Sequence, residues 1–195
     1  MEKTIGLLTR TDWNSNKWQG MPSEADVSAS EFAALQSPEL SSLLYAHSVQ
    51  DEEKDTVYQG FLPQLNGALV NSKVNTSIQI VFIVSKNPED GESYITGFYA
   101  FPLFAEGRRI SPYNAEQLLR TNIKTEMKNI HHLENYVDVK TVGGEAVFSK
   151  RIKGKNGFVF LTKTETEKVF DAISRLNKDD KRLHAIKFRL LKSYL

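Results

Sequence analysis

Cysteine is absent from this 195-residue chain, which excludes disulfide frameworks, thiolate metal sites and cysteine nucleophiles. Long apolar runs are absent as well. No stretch approaches the about 18 consecutive apolar residues of a membrane-crossing helix, and Met1-Glu2-Lys3-Thr4 lacks the basic-then-apolar layout of a secretory signal. A soluble, cytoplasmic protein is therefore expected. The common catalytic signatures are missing too: no GxxxxGK[ST] phosphate loop, no GxGxxG after a strand, no GxSxG elbow and no HExxH. No internal repeat or low-complexity segment is present. Net charge is also scarce, at +1, but the balance conceals an asymmetry. Residues 1–119 carry 8 basic and 15 acidic side chains, whereas residues 120–195 carry 17 and 9. A half-chain this basic suits a polyanion, since each phosphate contact releases counterions; the competing reading is a solvated basic face.

What is present reads as one domain with enough apolar residues for a core, 40% of the chain. Thr4–Arg10 is expected as a first strand. A loop, residues 11–22, follows and holds both Trp residues of the chain. Ser23 is expected to cap a helix with Val27, Phe32 and Leu35 on its buried stripe. The run 57–65 reads as a strand. Ser77–Ser85, β-branched and nearly all apolar, reads as a strand buried on both faces. The segment 87–93 supplies a turn, and Tyr94–Phe104 is the expected returning strand, in which alternation places Tyr99 and Phe101 on one face. Gly60 and Gly97 mark places where backbone or ligand approaches closely. Ser111-Pro112 is expected to open a helix through about Lys124, and 134–142 reads as another strand. Thr164–Asn177 is an amphipathic helix with Val169, Phe170, Ile173 and Leu176 inward. Residues 179–195 form a basic helix whose stripe of Leu183, Ile186, Leu190 and Tyr194 suits one neighbour rather than a core position. This order argues an α+β fold around a curved, mainly antiparallel sheet.

Few residues carry recognisable chemistry. His131 and His132 are adjacent, so on a helix they point about 100° apart and on a strand to opposite faces, which argues against a shared metal. His47 and His184 have no obvious acidic partner. Asp138-Val139-Lys140 matches the acid-x-Lys half of a metal-dependent nuclease motif. That spacing occurs four times, and composition alone gives about two, so it carries little information. The aromatic pattern says more. Trp13 and Trp18 share a short loop with Asn14, Asn16 and Gln19; flat indoles beside amides are what a pocket needs to stack a base and pair with its polar edge. The competing reading is that one Trp plugs the end of a barrel. Lys150, Arg151, Lys153 and Lys155 lie on a glycine-containing connection, suited to a phosphate clamp or simply solvated.

The stretches IGLLTRTDWNSNKWQGMPSEAD, QIVFIVS, YITGFYAFP, KNIHHLENYVDV and NGFVFLTKTETEKVFDAI resemble the EVE-like, PUA-superfamily domains found at the N-terminus of modification-dependent restriction endonucleases. The likeness runs from about Ile5 to Ile173, and the TRxDWN…W opening and GFYAFP are its distinctive parts. The resemblance implies a small β-barrel flanked by helices, with an aromatic pocket for a flipped modified base. Matching positions are Trp13, Asn14, Trp18, Tyr99 and Phe101. Relatives carry an aromatic-rich stretch after the first helix; here EFAALQSPELSSLLYAHSV contributes only Phe32 and Tyr45. Residues 1–177 are thus expected to form the reader domain and 178–195 a basic linker helix. The expected partner is double-stranded DNA carrying 5-methylcytosine or 5-hydroxymethylcytosine, with a downstream nuclease domain or subunit, no cofactor and no membrane. The HNH catalytic residues that follow such domains are missing, so a fragment or a reader cut at its linker is expected, with a stand-alone reader as the competing idea. The alternatives are an RNA-binding PUA/YTH-like reader of a modified nucleotide, and a metal-dependent nuclease using Asp138 and Lys140.

Overall fold

The computed structural model describes residues 3–31, 40–41, 44–45, 57–65, 77–111, 113–143 and 157–192. Its strands are β1 (Thr4–Thr11), β2 (Val57–Gly60), β3 (Ile80–Lys86), β4 (Ser93–Ala100), β5 (Leu103–Ile110), β6 (Leu118–Glu126), β7 (Ile130–Asp138) and β8 (Phe158–Thr162). The helices are α1 (Glu24–Ser28), α2 (Val139–Gly143), α3 (Lys163–Leu176) and α4 (Lys181–Lys192). The fold is α+β. One mixed sheet has the order β7-β4-β3-β1-β8, with β1 and β3 parallel and the other neighbours antiparallel; a second, antiparallel sheet has the order β2-β6-β5. Among the described residues the two sheets do not close into a barrel. No described helix is long and apolar enough to cross a membrane.

The period-2 geometry of β3 explains why its sequence is apolar throughout. Ile80, Phe82 and Val84 face the layer of α3 and α4, together with Leu8, Phe98, Phe170, Ile173, Leu183 and Ile186. Val81 and Ile83 face the other way, into a core shared with Leu7, Trp18, Tyr45, Tyr58, Tyr99, Phe104 and Ile123. The five-stranded sheet is therefore covered by helices on one face, and by the small sheet and the Trp loop on the other. Gly6 lets α3 approach, since a Cβ there would fall closer than 3.0 Å to the Thr166 hydroxyl.

Several expectations are corrected. The helix expected from Ser111 to Lys124 is the hairpin return and strand β6. Ser111 Oγ does accept from the backbone N–H groups of Tyr113 and Asn114, both at 3.1 Å, but Leu119, Thr121, Ile123 and Thr125 then bury at period 2, as β-branched strand residues do. The expected strand 94–104 breaks at Phe101, whose φ is +50°; Pro102 follows with no N–H to extend the ladder. The chain there turns from the large sheet into the small one. Strand β7 starts earlier than expected and ends at Asp138, whose Oδ1 accepts from Lys140 N at 2.8 Å in the first turn of α2. Strand β2 stops at Gly60 and is followed by a short 3-10 turn, Pro63–Leu65. Strand β8 falls in residues left unassigned by pattern. Val27 and Leu176 are exposed, not inward. The stripe of α4 is a core stripe: Leu183, Ile186 and Leu190 are all buried with the helix-side cluster. Phe32, Leu35, His47, Tyr194 and the four expected phosphate ligands Lys150, Arg151, Lys153 and Lys155 lie outside the described residues.

Candidate functional site

The Trp loop is built by its own short polar side chains. Asn14 Oδ1 accepts from Asn16 N at 2.9 Å, and its Nδ2 donates to the Gly20 carbonyl at 3.0 Å. Asp26 accepts from Ser15 N, Ser15 Oγ and Ser23 N within 3.0 Å, closing a capping box with Ser23. Burial works against ionising Asp26, but the hydrogen bonds from Ser15 and Ser23 outweigh it and hold its pKa below the ordinary value. These bonds hold Lys17 and Trp18 in successive left-handed conformations, φ +55° and +56°. Such residues cost about 1–3 kcal/mol each and persist only where neighbours over-determine them. The strain has a product. It drives the Trp18 indole inward to 0% exposure, while Trp13 stays half-buried.

Around these two indoles lies an aromatic cluster. Trp13 meets Trp18 edge-on at 5.7 Å, Tyr136 edge-on at 6.0 Å and Tyr94 at 6.3 Å. Trp18 in turn touches Tyr45 at 5.6 Å, His132 at 5.7 Å and Tyr136 at 6.1 Å. Tyr45 and His132 lie 4.7 Å apart, and Tyr45 reaches Tyr99 at 6.5 Å. Trp13, Tyr94, His132 and Tyr136 form a half-exposed rim, and Trp18, Tyr45 and Tyr99 a buried floor. The floor is tied down by Tyr45 Oη to Thr96 Oγ1 at 2.5 Å and by Tyr99 Oη donating to the Leu44 carbonyl. On the rim, His132 Nε2 lies 3.0 Å from Tyr136 Oη. Burial raises the pKa of Tyr45 and Tyr99 well above the usual phenol value, and that of Tyr136 to about 12. The phenols are therefore neutral near pH 7. The buried Trp18 Nε1–H has no hydrogen-bond partner among the described residues.

Beside Trp13 opens a cleft of about 260 Å³, near the small end of ligand pockets. It is lined by Arg10, Thr11 and Asp12 at the end of β1, by Asp26, Ala29, Ser30 and Glu31, by Lys86 at the end of β3, and by Pro88 and Gly91 of the β3–β4 connection. Trp13 is the wall common to cleft and cluster.

No family model matches the chain. Nor does any curated protein or solved structure. The likeness to EVE-like domains therefore rests on the quoted motifs alone.

The structure brings together Trp13, Trp18 and Tyr99 of the expected pocket and keeps Asn14 beside them, with both ends of its amide holding the loop. It separates Phe101. The left-handed residue reverses the alternation, so the Phe101 ring joins the helix side, under the Arg189 guanidinium at 4.6 Å. Sequence reasoning missed Tyr136 and His132 as rim residues. The pair lies on β7, where neighbours face opposite ways, so His132 joins the rim while His131 stacks on Phe98 in the helix-side layer at 5.3 Å. Asp138 and Lys140 do not converge: Asp138 serves the start of α2, and Lys140 pairs with Glu92. Among the described residues no group of His, Asp and Glu has the arrangement of a metal site.

Proposed function

We propose that this chain is a DNA-binding module that recognises a modified base, 5-methylcytosine or 5-hydroxymethylcytosine, by receiving it extruded against the aromatic rim, and that it thereby directs a restriction nuclease. The observation that carries this reading is a solvent-reachable indole, Trp13, set at 89° to Tyr136 over a packed aromatic floor. Two perpendicular rings give one face for stacking and one edge for a ring substituent. Trp13 stacks, Tyr136 and His132 meet the methyl or hydroxymethyl group, and Trp18 fixes the floor. Asn14 shapes the loop. Stacking supplies about 1–3 kcal/mol per base, against a few kcal/mol for extrusion, so phosphate contacts must contribute the remainder. In this reading the two sheets are halves of an EVE/PUA-like curved barrel; the single-residue break at Phe101 that joins them, and the aromatic core between them, support it.

The test is binding of the folded chain to matched duplexes with cytosine, 5-methylcytosine, 5-hydroxymethylcytosine or 6-methyladenine, and to the matching RNA. Trp13→Ala should weaken the modified duplex roughly 5- to 150-fold, the equivalent of one stacked base. Equal binding to all duplexes by the unaltered chain, or a preference for RNA, would replace this reading.

A further inference from the structure

We infer that Arg10 and Lys86 form a phosphodiester-binding site at the mouth of the cleft, occupied in the free protein by the carboxylate of Glu31. The inference rests on the nucleic-acid reading above and names which strand atoms would anchor the base. Two cations converge on the two oxygens of one carboxylate: Arg10 Nη2 lies 2.5 Å from Glu31 Oε2, and Lys86 Nζ lies 4.0 Å from Oε1. A carboxylate bridged in this way stands where two oxygens of a phosphate would sit. Of the three groups only the Arg10 guanidinium is built in; the Lys86 side chain is 49% exposed. The Arg10 side chain is only 16% exposed near the end of strand β1, whereas Glu31 is 45% exposed. Exposed ion pairs are weak, so exchanging Glu31 for a phosphate costs little. The other two carboxylates lining the cleft are committed: Asp12 accepts from Ser30 Oγ at 2.6 Å and Glu31 N at 3.1 Å, and Asp26 holds Ser15 and Ser23. Glu31 is thus the acid that can leave. Trp13 walls this cleft and the aromatic cluster alike, so a phosphate held here is next to a base stacked there.

The experiment measures affinity for modified and unmodified duplexes over a salt series, for the full chain and for Glu31→Gln, Lys86→Ala and the double variant. Glu31→Gln should tighten binding to both duplexes by the same factor, up to roughly eightfold per contact at 0.1 M salt, and steepen the log–log salt slope by about 0.9. Lys86→Ala should weaken both equally and remove most of the gain in the double variant. Lys86 is exposed at a strand end, so this arm stands even where Glu31→Gln perturbs folding. No change or weaker binding in Glu31→Gln, or no effect of Lys86→Ala, overturns the site. A modified-to-unmodified preference that persists beside either result leaves the base reading standing. Tightening without any such preference keeps the phosphate site and removes the base reading.

Discussion

Gly97→Ala tests how the aromatic floor is held. A Cβ on Gly97 would fall closer than 3.0 Å to the His131 carbonyl oxygen and to the Tyr45 ring. The carbonyl belongs to the β4–β7 ladder, in which Gly97 pairs with His132, and cannot withdraw without parting two strands. The ring is held by its 2.5 Å hydrogen bond to Thr96 and by His132 at 4.7 Å. Overpacking costs about 1–3 kcal/mol, and loss of the buried Tyr45–Thr96 bond adds about 1 kcal/mol. A total of about 3 kcal/mol corresponds to a fall in Tm of about 6–12 °C for a domain of this size. Thermal unfolding followed by near-ultraviolet circular dichroism reads both the Tm and the floor, since Trp18 lies against Tyr45. Gly20→Ala is the control: a Cβ there meets nothing within 4 Å, and its Tm should stay within about 2 °C. A Gly97→Ala protein that melts with the control, its aromatic signal intact, would refute the claim that this glycine makes room for Tyr45.

Trp18→Ala, which empties a fully buried indole site, should cost about 3–5 kcal/mol, whereas half-buried Trp13 should cost distinctly less when truncated; urea titration separates the two. Leu183→Ala in α4 should cost about 2–5 kcal/mol, because its side chain is fully buried in the helix-side core; a loss near zero would return α4 to the role of a loosely attached linker. His131 gives a pH dependence with a definite sign. Burial holds its pKa below the ordinary 6.5, against the pull of Asp180, whose Oδ2 is 2.7 Å away. As pH falls below that value the unfolded chain takes up the proton first, so the stability supplied by the neutral imidazole is full above pH about 6.5 and lost on acidification. The Tm advantage of the unaltered protein over His131→Asn should therefore shrink between pH 7 and pH 5, and a constant advantage would contradict the assignment.

Much of the fold was legible because the strongest patterns were single-valued. An apolar run as continuous as Ile80–Ser85 has no exposed face, and the Ser23 cap has one local use. The failures share a cause: a strong local signal was read past its range. Ser111 does form a turn, but the β-branched residues after it decide for a strand. Tyr99 and Phe101 share a face only while the strand continues, and one left-handed residue ends that. Trp13 and Trp18 were legible as unusual for a loop. Which one faces solvent was not, because it depends on two strained dihedrals. Tyr45, Tyr94, His132 and Tyr136 come from three separate segments and meet only through the sheet.

The position of β1 has a kinetic consequence. Among the described strands β1 is the earliest in sequence and the second from the end of its sheet: Leu7 lies opposite Val81 on one side and Phe160 on the other. Its second edge must wait for residues about 150 positions later, the long-range pairing that slows folding toward milliseconds to seconds. Until β8 arrives, a strand carrying Ile5, Leu7 and Leu8 has an uncovered edge, and such edges recruit other chains. A chain ending before Phe158 would keep every residue of the aromatic rim, yet its free β1 edge should make it self-associate rather than bind.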